Sequence, residues 1–201
     1  MRRRRAGGER RGEVLKAAIQ VMAERGYDRT RFSDVAAVAG VAVSTLQFYF
    51  GSRDDMLVEA LHESTEEEVR AMEAAAATGA NPWERLVRLL ERGLVTVPVG
   101  TWRMLLEFWY ASAHDPELRE HSVAVQHRYR RPFIDAIREG IDRGDFHTDE
   151  DVEDLVTVIL ATLDGVLIPR VCEHPYYRED RVRAVVIAQV ASALGVRAPA
   201  H

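Results

Sequence analysis

Residues 33–57 read SDVAAVAGVAVSTLQFYFGSRDDML, and this stretch decides the fold. The spacing predicts a short helix over 33–39. Ser33 is the expected cap, because a serine hydroxyl accepts from an amide that has no partner in the first turn. Asp34 places negative charge at the positive end of the helix dipole. Val35, Val38 and Ala39 follow helical spacing and mark the expected buried side. Gly40 stands where the helix must stop in a left-handed conformation, which glycine adopts at little cost. Val41 follows as an apolar plug, and a second short helix runs from 42 or 43 to about 49. Two short helices joined by a tight turn form a helix-turn-helix, whose second helix fits a DNA major groove.

These residues carry a resemblance. The segment resembles the DNA-binding head of the TetR family of bacterial repressors. Thr30, Asp34, Val35, Ala36, Ala39, Gly40, Val41, Thr45, Leu46, Tyr49, Phe50, Ser52 and Leu57 fit the family pattern at fixed spacing without a gap. Arg53 and Asp54 keep its charges in different residues. Ala42, Ser44 and Gln47 depart from it: they replace a usual serine, a common glycine and a common tyrosine. The resemblance implies an all-α protein of about nine helices. A three-helix DNA-binding domain at 1–52 would precede a ligand-binding and dimerisation domain at 53–201.

Composition agrees. The chain has 201 residues, 47% of them hydrophobic, enough for a buried core. The arginine-rich start is not followed by an apolar run, and no stretch approaches the roughly 20 apolar residues of a membrane span. One cysteine, Cys172, allows no internal disulfide and fits a reducing cytoplasm. The net charge of −5 is split unevenly. Residues 1–53 hold eleven basic and five acidic side chains; the other 148 hold 16 basic and 27 acidic. A basic head on an acidic body suits a DNA reader that docks by one end. Arg2 to Arg5 read as a solvated basic arm within reach of phosphates.

Helical patterning continues to the end. A helix over 9–25 carries Val14, Ala17, Ala18, Val21 and Met22 and stops at Gly26. Ser52 opens a long helix to about 77, with Met56, Leu57, Ala60 and Leu61 inside and Glu66, Glu67 and Glu68 in water. Asn81-Pro82 is a cap followed by a first-turn proline, opening a helix to about 97. Pro98 and Gly100 punctuate before a helix over 101–113. Asp115-Pro116 starts the next, with a kink expected at Pro132. Thr148 and Asp151 resemble a capping box before a helix to about 168. The last helix spans about 178–194. No strand-like alternation occurs.

The DNA contacts follow from position on the second short helix. Val43, Ser44, Thr45 and Gln47 are the candidate base readers: Val43 and Thr45 for a thymine methyl, Gln47 for adenine. Tyr49 and Arg53 are expected on phosphates, with Thr30 and Ser33 gripping the backbone from the other side. Leu46 and Phe50 are expected in the core. In the body, Trp102, Leu106, Trp109, Tyr110, His127, Tyr129 and Phe133 form a candidate pocket wall for an apolar or cationic small molecule. Leu106 to Glu120, LEFWYASAHDPELRE, also resembles the subgroup around choline-responsive betaine repressors. The last two helices are apolar on most sides, through Val152, Leu155, Val156, Ile159, Leu160, Leu163, Val166 and Leu167, then Val182, Val185, Val186, Ile187, Val190 and Leu194. A homodimer is therefore expected through them; the alternative is that both helices are central in a monomer.

An enzyme is disfavoured. The seven histidines are scattered, and there is no HExxH, paired-cysteine spacing, Gly-rich phosphate loop or GxSxG. No cofactor, metal or catalytic residue is expected. With the helix layout, the resemblance implies a repressor that binds a palindromic operator as a dimer and is released by a small molecule. An activator, or a protein-responsive regulator of the same fold, is the alternative.

Overall fold

The computed structural model describes residues 2–196, with side chains from residue 10 onward. The described residues are all-α: α1 Arg2–Arg25, α2 Phe32–Ala39, α3 Val43–Phe50, α4 Arg53–Ala76, α5 Pro82–Glu91, α6 Val99–Ser112, α7 Pro116–Asp142, α8 Val152–Val171 and α9 Glu179–Ala193. They form two compact units. The first runs up to Glu67 and adds Gly100–Val123; the second comprises Glu68–Val99 and the chain from Ala124 onward. Both α4 and α7 therefore pass from one unit into the other, and α6 packs with the N-terminal helices.

In the first unit, Val14, Ala18, Val21 and Met22 of α1 meet Val35 of α2, Leu46 and Phe50 of α3, and Met56, Leu57, Ala60 and Leu61 of α4. Met104 and Phe108 of α6 and Leu118 of α7 complete this core. Two eight-residue helices are marginal alone, so the stability of α2 and α3 comes from this burial. Gly40 ends α2 at φ 64°, the left-handed conformation expected of it.

In the second unit, Leu86, Leu89 and Leu90 of α5, Phe133 and Ile137 of α7, Val156, Ile159 and Leu163 of α8, and Val186 and Val190 of α9 share one core. Asn81 caps α5 by accepting from the Glu84 amide at 2.9 Å, with Pro82 behind it. Asp115 caps α7, accepting from Leu118 at 3.0 Å, and Pro132 lies within that helix.

Several local expectations need correction. Ser33 does not cap α2. The helix begins one residue earlier, and Asp34 instead accepts from the Arg31 amide at 3.1 Å. Val38 is exposed, because α2 turns only Val35 and Ala36 fully inward. Asp151 alone caps α8, accepting from the Glu153 and Asp154 amides; Thr148 accepts only from Glu150. Gly100 lies inside α6 rather than ahead of it. The expected long helix from 82 changes at Arg92 into a π-helical turn, Arg92–Thr96. There Gly93 faces Leu163 so closely that a Cβ would stand 2.9 Å from a leucine methyl. The backbone of Arg2 to Arg5 belongs to α1; their side chains, expected to reach phosphates, lie outside the described residues.

Glu68 is the largest departure. It was expected in water, and it is buried. Arg92 forks onto it, through Nε at 3.0 Å and Nη2 at 2.7 Å. Tyr129 lies beside this pair: burial, then the Glu68 carboxylate, raises its phenol above the ordinary tyrosine value. A buried carboxylate persists only when paired.

Candidate nucleic-acid interface

The exposed side of α3 is defined by what its other side buries. Leu46 and Phe50 point into the first core, as expected. Thr45 and Tyr49 are half-buried at the edges. Val43, Ser44, Gln47 and Phe48 face water. At about 100° per residue, these four fill one continuous arc. Three of them are expected base readers. Thr45 lies at the flank rather than on the open arc. Tyr49 is held between Phe48 and Phe50, with ring centroids at 5.7 and 6.2 Å.

Thr30 and Arg53 are placed otherwise than expected. Thr30 is fully buried, and its hydroxyl donates to the Gly26 carbonyl at 2.8 Å, so no phosphate reaches it. Arg53, part-buried, spends its guanidinium on partners within the protein. Nε donates to the Thr30 carbonyl at 2.6 Å, Nη2 to the Tyr27 carbonyl, and Nη1 pairs with Asp54 at 2.5 Å. Its plane lies over the Tyr27 ring, 5.1 Å from the centroid. Arg53 thus clamps the loop between α1 and α2 to the start of α4. Burial, followed by the Asp54 charge, raises the Tyr27 phenol. Ser52 begins α4 by accepting from the Asp55 amide at 3.0 Å.

Ser33 is exposed at the start of α2 and shares a surface cleft with Arg25, Arg29 and Arg31 and with the acidic Glu24, Asp28 and Asp34. Asp34 holds Arg25 at 2.8 Å, and Arg29 donates to the Arg25 carbonyl at 2.8 Å. These arginines were not singled out in the sequence. The signal was present in the charges of Tyr27–Arg31, YDRTR, just ahead of α2. Phe48 was also missed, although the spacing that buries Leu46 and Phe50 turns it to the opposite side.

The candidate pocket residues divide between the two units. Trp102 is buried in the first, where Leu106 and Trp109 are half-buried. Tyr110 is exposed and tilts against His114, so it walls no cavity within that unit. In the second unit Phe133 is core, Tyr129 packs against that core, and His127 faces water. The buried side of α8 is used within its own unit by Leu155, Val156, Ile159, Leu160, Leu163 and Leu167. Its outer side keeps Val158 at 63% and Ile168 at 53% exposure. Val185 of α9 is 55% exposed. Asp164, also on the outer side of α8, has its carboxyl pushed up to about 6 by burial, although the residue as a whole is open to solvent.

Comparison with known proteins matches two family models. Residues 14–60 match the "bacterial regulatory proteins, tetR family" model, and residues 82–195 match the "BetI-type transcriptional repressor, C-terminal" model. The fatty acid metabolism regulator protein of Bacillus subtilis is 24% identical over 165 residues, covering 82% of this chain and 85% of the relative. The HTH-type transcriptional repressor KstR of Mycolicibacterium smegmatis is 35% identical over 108 residues, covering 52% of this chain and 53% of the relative. A transcriptional regulator from Saccharomonospora viridis, solved in complex with choline, superposes with a TM-score of 0.83 at 28% identity, covering 92% of this chain and 96% of its own. The relatives are regulators of transcription, not enzymes. With a helix-turn-helix at its N-terminal end and a BetI-type region spanning most of the rest, the chain belongs to the TetR family of DNA-binding transcriptional regulators.

Proposed function

We propose that the protein is a repressor that binds a palindromic operator as a homodimer and releases it when a small molecule binds. DNA recognition is assigned to 1–52, and effector binding and dimerisation to 53–201. The open arc of α3 carries this reading: Val43, Ser44 and Gln47 stand out beside Thr45 and Tyr49 on a helix whose opposite face is locked in core. Ser33 and the arginines beside it supply phosphate contacts at the other end of the motif.

Dimerisation is supported by α8 and α9. Val158, Ala161, Gly165 and Ile168 recur at helical spacing on the outer face of α8, and Val185 and Ala188 do so on α9. A face of apolar and small residues suits close packing against a second copy. Two heads about 34–36 Å apart read half-sites one turn apart. A cytoplasmic location goes with this reading.

The effector is a small apolar or cationic molecule. The choline bound by the Saccharomonospora viridis relative supports a cation. Helices α4 and α7 each belong to both units, so a ligand that prefers one arrangement shifts the head population through continuous helix.

The test selects an operator from random duplexes, then measures its affinity with and without choline and longer alkyl-trimethylammonium compounds. A compound that raises the unfolding temperature should weaken operator binding by tenfold or more. Binding that leaves operator affinity unchanged, or tightens it, contradicts ligand release; a bound site upstream of the polymerase site rather than over it favours an activator.

A further inference from the structure

Phe48 is 85% exposed in the middle of α3. Single exposed apolar residues are ordinary, but this one differs from the other exposed aromatics. Tyr110 and Tyr176 each stand against a histidine ring, and the Tyr176 hydroxyl bonds His174 at 2.7 Å. Phe48 has no polar side-chain atom to satisfy, and its ring lies tilted beside that of Tyr49. It occupies the same open arc as Ser44 and Gln47, one turn beyond Ser44. A docked α3 thus carries this ring into the groove along with the base readers.

We propose that Phe48 reads the 5-methyl group of a thymine in each half-site. This rests on α3 docking in the major groove. A phenyl ring cannot donate to phosphate, so the backbone offers it no hydrogen bond. The major groove offers one apolar feature, the thymine methyl, which aromatic and methyl side chains contact. Covering that methyl with the ring removes both from water. Phe48 then selects thymine over cytosine at a position that hydrogen bonding from Ser44 and Gln47 does not fix.

The experiment replaces each thymine of a selected operator in turn with deoxyuridine, which deletes only the methyl. Affinity is measured for the full-length protein and for Phe48→Ala and Phe48→Tyr. Burial of one methyl is worth about fourfold, so symmetric replacement in both half-sites should cost the parent about tenfold or more at one position. Phe48→Ala should bind thymine and deoxyuridine operators equally there, while Phe48→Tyr keeps the discrimination. An 85% exposed side chain leaves the unfolding temperature of both variants near the parent's, which checks folding. Equal deoxyuridine penalties in parent and Phe48→Ala overturn the proposal. So does a uniform loss across all operators, which would mean sugar or backbone contact. If the parent selects no duplex at all, groove docking itself fails, and Phe48 with it.

Discussion

The backbone amide of Tyr27 donates to the Glu107 carboxylate at 3.1 Å, tying the turn after α1 to α6. Gly26 beside it adopts φ 83°, and a Cβ there would approach Glu107 to 3.2 Å. Residues 80 apart in sequence thus meet at the base of the DNA-binding helices. Glu107→Ala leaves this amide without its acceptor, at a cost of about 1–3 kcal/mol. Thermal unfolding should fall accordingly, and Glu107→Gln, which retains an oxygen acceptor, should lose less. Equal stability of Glu107→Ala and the parent contradicts this role.

Arg53 is expected to act through folding. Its guanidinium bonds the Thr30 and Tyr27 carbonyls and Asp54. Hydrogen bonds from a charged group are worth about 1.5–3 kcal/mol each. Arg53→Ala should therefore lower the unfolding temperature, while the slope of operator affinity against salt stays as in the parent. A flatter slope with unchanged stability would return Arg53 to phosphate binding.

Within the second unit, Arg92→Ala should be severe. It leaves the buried Glu68 carboxylate with the Tyr129 hydroxyl but no countercharge, and breaking such a pair costs about 3–5 kcal/mol. The double variant Glu68→Leu with Arg92→Met should recover much of the loss, since no charge is then left in the interior. Chemical denaturation of the single and double variants measures the difference.

Asp164 gives a pH dependence. Its folded pKa, about 6, is raised above the usual carboxylate value, so the folded state favours the protonated form. That contribution is complete below the unfolded pKa of about 4. It is lost as pH rises through about 6. Relative to Asp164→Asn, the parent should lose stability over this window and run parallel above it.

The sequence made the punctuation of the fold legible. Gly40, Asn81-Pro82 and Asp115-Pro116 stop or start helices through their own backbone and side-chain chemistry, and each behaves as its local pattern implies. The core faces of α3 and α4 were equally readable, because Leu46, Phe50, Met56 and Leu57 repeat at helical spacing. The buried roles of Thr30, Arg53 and Glu68 were not. Each depends on partners brought in by tertiary packing, and an exposed phosphate ligand and a buried clamp are the same residue in a linear chain. The π turn was hidden for a similar reason, since it accompanies the fit of Gly93 against Leu163. Phe48 was legible in the same spacing, since at about 100° per residue it stands opposite Leu46 and Phe50 on α3.

The most direct test is the stoichiometry and salt dependence of duplex binding. Protein titrated into a fluorescent duplex bearing the selected palindrome, at low and moderate salt, should saturate at two protomers per duplex. Affinity should fall steeply with salt as phosphate counterions are released, and a single half-site should bind far more weakly. One protomer per duplex at full affinity, or no duplex binding at low salt, contradicts a paired-head operator reader.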